Sequence, residues 1–224
     1  MIKSRKFAAF AFIVFFLLSC LGSYAQKDVD EFGFIEGRVF YVGAVAGANF
    51  TQVDGDHYAG FTKAGLNVGG IGYARINKRM ALSYELLYSQ KGSRGQGARI
   101  GGQDSIILSK YGINVNYAEI PVMLNYFDKK MSHVGIGISY NQLLNSSEYA
   151  SYYPAYPIDL SKYPFKKTDI EFLAGAQLRL WKGFFFNLRY QYSILPMRSS
   201  IPPYIARSKQ YNNMWTVRLM YLLM

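Results

Sequence analysis

The chain has 224 residues, a formal net charge of +11 and 17% aromatic residues, with 20 Tyr and 16 Phe. This length fits one domain, and a single cysteine excludes a disulfide within the chain. Beyond the amino-terminal region no stretch reaches the ~18 continuous apolar residues that a membrane helix needs. A membrane location would therefore require strands.

The amino terminus predicts export. Lys3, Arg5 and Lys6 precede the apolar run Phe7–Leu18, and the small-residue sequence Ser23-Tyr24-Ala25 follows. Basic, apolar and small-residue regions in this order are typical of a cleaved secretory signal. We therefore expect a signal peptide over residues 1–25, and export argues against nucleic acid as the partner of the basic residues.

Two alternatives stay open for this segment. The apolar run could remain as a membrane or amphipathic helix, although it is short for one that spans. Leu17-Leu18-Ser19-Cys20 also resembles a lipoprotein processing site, in which Cys20 would be acylated. Cleavage after Ala25 instead removes the only cysteine, so the mature chain would contain no thiol nucleophile.

The stretch Asn116–Phe127 shows the strand pattern of the chain most clearly. Apolar residues occupy every second position from Ala118 to Tyr126, and Glu119 lies on the opposite face. Pro121 and the spacing of two exclude a helix. In a soluble sheet Glu119 would be exposed to water, whereas in a membrane barrel the apolar face contacts lipid and Glu119 points into the lumen.

The same alternation predicts eight strands along the chain. They are Phe40–Gln52, Lys63–Ile76, Met80–Gln90, Asn116–Phe127, Ser132–Leu143, Asp169–Leu180, Phe184–Leu195 and Met214–Leu223. Each is close to the length of a tilted barrel strand, ~10 residues. The second strand is the least regular, because Leu66 and Val68 are out of phase with Ile71 and Tyr73, and its Gly69-Gly70 pair is a candidate β-bulge.

Short and long connections alternate between these strands. The three short ones are Asn77–Arg79, Asp128–Lys130 and Trp181–Gly183, and the four long ones are Val53–Thr62, Lys91–Val115, Leu144–Thr168 and Pro196–Asn213. This alternation is typical of outer-membrane barrels, with short periplasmic turns and longer external loops. A soluble lipocalin-like barrel is the alternative.

The fold class that these patterns predict is all-β. We expect an eight-stranded antiparallel up-and-down transmembrane β-barrel in the cell outer membrane, over residues 39–224, preceded by a periplasmic lead over residues 26–38. Both termini of the mature chain would lie in the periplasm, and the barrel would be monomeric.

The inward faces of the predicted strands carry charge of both signs. The residues are Glu85, Glu119, Glu171, Arg179, Arg189 and Arg218, with Arg75 as a further candidate. An eight-stranded barrel is only wide enough for side chains to fill, and the Arg guanidinium can bind two carboxylate oxygens. We therefore predict a closed lumen filled by an Arg–Glu network. The alternative is that these are solvated strand faces of a soluble protein.

One segment carries a family resemblance. Tyr117-Ala118-Glu119-Ile120-Pro121-Val122-Met123-Leu124-Asn125-Tyr126 is similar to a Glu-Ile-Pro-aliphatic run of the PorT-type outer-membrane β-barrel family. Gly47–Thr51 and Tyr88–Gly92 are similar to other segments of that family. The resemblance implies a small barrel of about eight strands. Tyr221-Leu222-Leu223-Met224 departs from the aromatic residue that often ends such barrels. The family is named for a member required for type IX secretion, a role that resemblance alone does not transfer.

Catalytic and metal-binding motifs are weak. His57 lies in the first long loop and His133 begins the fifth strand near the opposite rim, where we expect it at the lipid interface. No nucleophile motif accompanies them, so we predict no enzyme, although an outer-membrane lipid-modifying enzyme using Ser132 or Ser139 with His133 stays an alternative. Asp54-Gly55-Asp56 lacks the later ligands of a calcium loop. We predict no cofactor.

The long loops carry most of the surface charge and are predicted to face outward. Their basic residues are Lys91, Arg94, Arg99, Lys110, Lys162, Lys166, Lys167, Arg198, Arg207 and Lys209. Lipopolysaccharide presents phosphates at this surface, and Lys and Arg bind phosphates. We select Lys162, Lys166 and Lys167 as candidate lipopolysaccharide contacts. A merely solvated surface is the alternative.

The third long loop is rich in tyrosine and proline. Tyr152, Tyr153 and Tyr156 are candidate contacts for another outer-membrane protein, because tyrosines are enriched at protein interfaces. Two functions follow from these patterns. The first is a structural or binding role at the cell surface, and the second is an accessory subunit of a larger outer-membrane machine for type IX secretion or barrel assembly.

Overall fold

The computed structural model describes residues 30–31, 33–100, 106–153, 159–200 and 206–223. The predicted signal peptide, with Cys20 and the Ala25 cleavage site, lies outside the described residues. So does Tyr156.

Eight strands form the structure. They are β1 (Phe40–Asp56), β2 (Lys63–Arg75), β3 (Met80–Ile100), β4 (Ile106–Phe127), β5 (His133–Tyr153), β6 (Thr168–Trp181), β7 (Phe184–Ser193) and β8 (Ala206–Leu222). Each strand pairs antiparallel with the next, and β8 pairs with β1 to close the ring. The predicted eight-stranded antiparallel barrel is confirmed. A short 3-10 helix, Leu160–Lys162, precedes β6, and among the described residues no helix could cross a membrane.

Side chains alternate between the two sides of the wall. On β7, Asn187, Arg189 and Gln191 are buried in the lumen, whereas Leu188 is 39% exposed on the outside. On β5, Ile136 and Ile138 are 60% and 58% exposed. Large apolar residues are therefore displayed around the outside of the barrel, where hydrocarbon rather than water is the favourable neighbour.

The two ends of the barrel differ. The short turns, the start of β1 and the end of β8 lie at one end, which we call the turn end. The long connections lie at the other, the loop end. In outer-membrane barrels short turns face the periplasm and long loops face outward.

Four strands, β3, β4, β5 and β8, extend well past their predicted ends at the loop end. Pairing of β3 with β4 continues to Ile100 opposite Ile106, and pairing of β4 with β5 continues to Ile107 opposite Tyr153. Pairing of β8 with β1 continues to Ala206 opposite Asp56. The prediction of long loops is therefore wrong over much of Lys91–Val115 and Leu144–Thr168 and over the last part of Pro196–Asn213. Apolar alternation stops where lipid contact stops, but backbone hydrogen bonding between paired strands continues in water.

The predicted bulge in β2 is also wrong. Residues of β2 pair without a register shift, both with β1 and with β3. Leu66 and Val68 are exposed on the outside, whereas Ile71 and Tyr73 are buried inside. The apparent change of phase arises because the lumen itself is apolar near the turn end.

Apolar layers cross the lumen near both ends. The turn-end layer contains Phe34, Tyr41, Val45, Ile71, Tyr73, Ala81, Leu87, Phe127, Met131, Phe185, Met220 and Leu222. The loop-end layer contains Val53, Leu108, Tyr111, Ile113, Val115, Tyr117 and Met197. The polar interior lies between them.

Part of the predicted periplasmic lead closes the turn end. Phe34 is 2% exposed, with its ring centroid 5.1 Å from that of Tyr41 and 5.0 Å from that of Phe127. The Asp30 backbone N–H donates to the Phe34 carbonyl at 2.8 Å, and Arg75 forms an ion pair with Asp30 at 2.6 Å. The Arg75 guanidinium also lies 4.3 Å from the Phe34 ring centroid. Arg75 therefore holds this segment in place rather than joining the central ionic network.

Candidate functional site in the lumen and at the loop end

The first ionic cluster lies on the turn side of the lumen. Glu85 on β3 faces Arg189 on β7 and Arg218 on β8, and all three side chains are at most 1% exposed. Arg218 Nη1 donates to Glu85 Oε2 at 2.7 Å, and Arg189 Nη2 donates to Oε1. Arg218 also donates from Nε to Asn187 at 2.9 Å. One carboxylate thus ties β3 to two strands across the lumen.

The second ionic cluster lies on the loop side. Lys91 Nζ donates to both Glu171 oxygens at 2.7 Å and forms an ion pair with Glu119. All three side chains are fully buried, and Gln191 donates to Glu171 at 3.1 Å. The second cluster carries one cation and two anions, the reverse of the first, so the charges of the two clusters balance.

A further buried carboxylate lies close to the second cluster. Asp169 Oδ2 accepts from the Ser193 hydroxyl at 2.7 Å and from Asn212 Nδ2 at 2.8 Å. These neutral donors extend the polar network toward the loop-end layer.

The structure brings together some of the predicted lumen residues and separates others. Glu85, Arg189 and Arg218 meet directly, whereas the partner of Glu119 and Glu171 is Lys91. The prediction that Lys91 lies in an outward-facing loop is wrong, because β3 continues through it. Lys91 lies six residues after Glu85, so in one continuous strand both side chains face the same side of the sheet. This spacing in the sequence could have predicted that Lys91 points inward.

Arg179 lies apart from both clusters. It is half-buried at the turn end, where its Nε donates to the Lys182 carbonyl at 3.2 Å. Its backbone N–H donates to the Ser132 hydroxyl at 3.1 Å. Although Arg179 has the inward phase on β6, it comes near the end of the strand and stabilises the β6–β7 turn.

His133 lies inside the barrel, and its predicted interfacial position is wrong. It is 4% exposed, with its ring stacked on Phe127 at a centroid distance of 4.1 Å. Nδ1 lies 3.0 Å from the Met131 carbonyl, so we assign the proton to Nδ1. Nε2 then accepts from the Tyr73 hydroxyl at 2.9 Å. Both ring nitrogens are used in packing the turn-end layer.

A buried cluster joins the segments at the loop end. Arg198 is 1% exposed, so its predicted outward position is wrong. Its Nη2 binds Glu148 Oε1 at 2.8 Å, its Nη1 donates to the Tyr163 carbonyl at 3.1 Å, and its guanidinium lies 4.0 Å from the Phe165 ring centroid. The Tyr111 hydroxyl donates to the same Glu148 oxygen at 2.8 Å. Burial, and next the Glu148 carboxylate, raise the pKa of Tyr111 well above its usual value.

The exposed large apolar side chains around the outside of the barrel, such as Ile136, Ile138 and Leu188, form a surface that we call the apolar band. Two of the three candidate lipopolysaccharide contacts lie near its edge at the loop end. Lys162 and Lys167 are exposed and Lys166 is half-buried. The Lys167 carbonyl accepts from the Leu143 N–H at 2.7 Å, and the Lys166 N–H donates to the Met197 carbonyl at 2.8 Å. Leu144, adjacent to this point, is 56% exposed. Lys166 and Lys167 are therefore close to the edge of the exposed apolar surface, whereas Lys162 lies in the 3-10 helix that precedes them.

Of the candidate tyrosine contacts that the structure describes, Tyr153 is exposed and Tyr152 is not. Tyr153 is 72% exposed and Tyr149 is 45% exposed on β5. Tyr152 is half-buried, on the opposite face of the strand. Among the described residues of the predicted tyrosine-rich loop, the exposed aromatic residues are therefore Tyr149 and Tyr153.

The geometry defines a class of protein. A closed antiparallel ring with an apolar outside, an ionic inside and short turns at one end is a transmembrane β-barrel. The chain matches the outer membrane protein beta-barrel domain family over residues 13–221 and belongs to that family. Its location is the outer membrane.

Solved structures show more distant likenesses. Ail of Yersinia pestis, in complex with the heparin analogue sucrose octasulfate, is 11% identical, with a TM-score of 0.43, over 83% of this chain and 100% of that one. Neisserial surface protein A is 11% identical, with a TM-score of 0.44, over 81% and 96%. OprG of Pseudomonas aeruginosa is 10% identical, with a TM-score of 0.38, over 83% and 94%. A search of curated proteins finds no match.

Proposed function

We propose that this protein is a non-conducting outer-membrane barrel of the PorT-like type with a structural or binding role at the cell surface. The observation that carries the proposal is the filling of the lumen. Two ionic clusters cross it between two apolar layers. A permeating ion would have to separate buried ion pairs, which costs several kcal/mol for each uncompensated charge.

Conductance recording in planar bilayers tests the closed lumen. Barrels folded from purified chain should give no steady current at moderate voltage. Electrophoresis of unheated and heated samples would verify that the barrel is folded in the same preparation. Steady single-channel steps from folded protein would contradict the proposal.

Lys162, Lys166 and Lys167 support lipopolysaccharide as a neighbour at the loop end. Lys166 and Lys167 lie at the edge of the apolar band, where outer-leaflet phosphates are expected, and Lys162 is exposed nearby in the chain. Lys binds phosphate as a point charge. The Lys166→Glu, Lys167→Glu double variant should co-purify with less lipopolysaccharide. Lys182→Glu at the turn end is the matched control, and equal retention in both variants would remove this contact from the proposal.

An accessory subunit of a larger outer-membrane machine is the second candidate function. Tyr149 and Tyr153 favour it, because exposed tyrosines supply contact area at low entropic cost. The PorT resemblance suggests machinery for secretion or barrel assembly. Purification of tagged chain in mild detergent should recover a stoichiometric partner, which Tyr149→Ser with Tyr153→Ser should release. Recovery of the barrel alone would contradict this candidate.

The proposal includes no catalysis. His133 is used in the turn-end layer. Among the described residues, Ser132 accepts from the Arg179 N–H and Ser139 donates to Asn141 at 2.5 Å, and neither is hydrogen-bonded to His133. These contacts support a binding role over the lipid-modifying alternative.

A further inference from the structure

A polar cleft of about 310 Å³ opens at the loop end, between β5 and the segment that begins with the 3-10 helix. Its lining includes Ser146, Ser147, Glu148, Ser161, Tyr163 and Phe165. We propose that this cleft binds a neutral sugar ring. The inference rests on the proposed surface-binding function and names the chemical class of the ligand.

Glu148 supplies the central acceptor of the cleft. Its Oε1 accepts from Arg198 at 2.8 Å and from Tyr111 at 2.8 Å. Its Oε2 receives no hydrogen bond from the part of the chain that the structure describes, and the side chain is 5% exposed. A buried carboxylate with one oxygen that accepts no hydrogen bond is stabilised by a ligand whose hydroxyl groups donate hydrogen bonds to it.

Serine hydroxyls complement this acceptor. Ser147 Oγ accepts from Asn114 Nδ2 at 3.1 Å, which leaves its own proton to donate. Ser161 donates to Asp159 at 2.6 Å, which leaves its oxygen free to accept. Ser146 is exposed and lines the same cleft. A sugar hydroxyl both donates and accepts, so it matches this mixture.

The charge of the cleft favours a neutral ligand. Arg198, 1% exposed, compensates the Glu148 carboxylate from behind. A phosphate would be repelled by the Glu148 carboxylate, whose compensating cation is buried. An isolated ammonium group would gain little binding free energy from the Glu148 carboxylate, because that charge is already paired with Arg198. A polyhydroxylated ring carries neither charge.

Aromatic residues form the opposite wall. Tyr163 and Phe165 are half-buried and line the cleft, and apolar C–H faces of a sugar can pack on such rings. Arg198 holds both residues, through the Tyr163 carbonyl at 3.1 Å and the Phe165 ring at 4.0 Å. The wall is therefore ordered before a ligand arrives, which lowers the entropic cost of binding.

Calorimetric titration of the folded full chain tests the proposal. Phosphocholine detergent is required, because alkyl glycoside detergents would compete for the cleft. The probes are lactose, maltose and a neutral hexose oligosaccharide from the outer core of lipopolysaccharide, and the wild type should bind at least one. Binding of the core oligosaccharide alone identifies the outer membrane itself as the source, and binding of lactose or maltose identifies external glycans.

Two variants locate the binding. Ser146→Trp fills the cleft and Glu148→Gln replaces the free acceptor with a donor, so each should weaken binding by about tenfold or more. Ser151→Trp, on the same strand outside the cleft, is the matched control and should bind like the wild type. Electrophoretic mobility of unheated samples checks the folding of each variant.

Three results would overturn the proposal. They are the absence of saccharide binding by the wild type, an equal effect of Ser146→Trp and Ser151→Trp, and binding of extended peptides instead of sugars. Conductance and lipopolysaccharide retention do not depend on this cleft, so they test the proposed function separately.

Discussion

At the residue scale, two side chains organise the polar interior. Glu85 is shared by two guanidinium groups, and Lys91 is shared by two carboxylates. Each is the minority charge of its cluster, so each compensates two partners. Loss of either one leaves two like charges buried beside each other, which costs more than loss of a partner on the outside of the cluster.

The Lys91→Met variant tests this arrangement. Glu119 and Glu171 would lose their shared cation, so we expect a loss of about 3–5 kcal/mol in the free energy of unfolding. Urea titration of liposome-embedded protein, followed by tryptophan fluorescence, measures it. Adding Glu119→Gln and Glu171→Gln should recover much of the loss, and a Lys91→Met effect below about 1 kcal/mol would contradict the cluster.

Tyr111 predicts a pH dependence at the loop end. Burial and Glu148 raise its pKa, so the folded state favours the neutral phenol. The contribution of Tyr111 to the free energy of unfolding is fully present below the pKa that tyrosine has in the unfolded chain, about 10. It is lost as the pH rises from there toward the higher pKa of Tyr111 in the folded chain.

We therefore expect amide exchange in the outer part of β4 to accelerate from about pH 10 upward, beyond the intrinsic rise of the exchange rate with pH. Tyr111→Phe should remove that excess acceleration. The same dependence in the variant would show that another group is responsible.

At the element scale, the strands have two parts with different causes. Within the apolar band, side chains that face lipid alternate with side chains that face the lumen. This alternation of polarity is visible in the sequence, which predicted these parts of the strands well. Beyond the band, β3, β4 and β5 continue by pairing with each other, and β8 continues by pairing with β1. The two-residue periodicity did not predict these extensions, because both of their faces are partly polar. The amino-terminal lead is a similar case, since Phe34 packs into the lumen and Asp30 binds Arg75.

Phe34→Ala tests the closing role of the lead. Removing a ring packed against Tyr41 and Phe127 should lower the free energy of unfolding by about 3–5 kcal/mol. Urea titration measures the change. Phe40→Ala, at an exposed outer position near the same end, is the control with a smaller expected effect. Equal effects would show that Phe34 does not pack in the lumen.

At the scale of the whole molecule, the protein inverts the usual distribution of polarity. Charged groups are buried at the centre, and Ile136, Ile138 and Leu86 are 58–65% exposed. Such a surface is stable only against hydrocarbon.

Ile136→Arg should therefore cost about 2–4 kcal/mol of folding free energy in liposomes, as expected for Arg near the bilayer midplane. Tyr153→Arg, beyond the band at the loop end, should stay within about 0.5 kcal/mol. Folding titrations of both variants in lipid vesicles measure the difference. Equal small effects would contradict the lipid-facing assignment of β5.

The sequence by itself determined the number of strands, their order and the face that meets lipid, because two-residue periodicity and loop spacing are local properties of the chain. It also indicated Glu85, Arg189 and Arg218 as inward residues. Only the tertiary structure decided which charges meet, since Lys91, Glu119 and Glu171 come from three strands whose relative height depends on pairing register. The tertiary structure likewise decided that Arg198 and His133 are buried. Burial in a closed ring depends on which residues lie across the lumen, and no local sequence pattern contains that information.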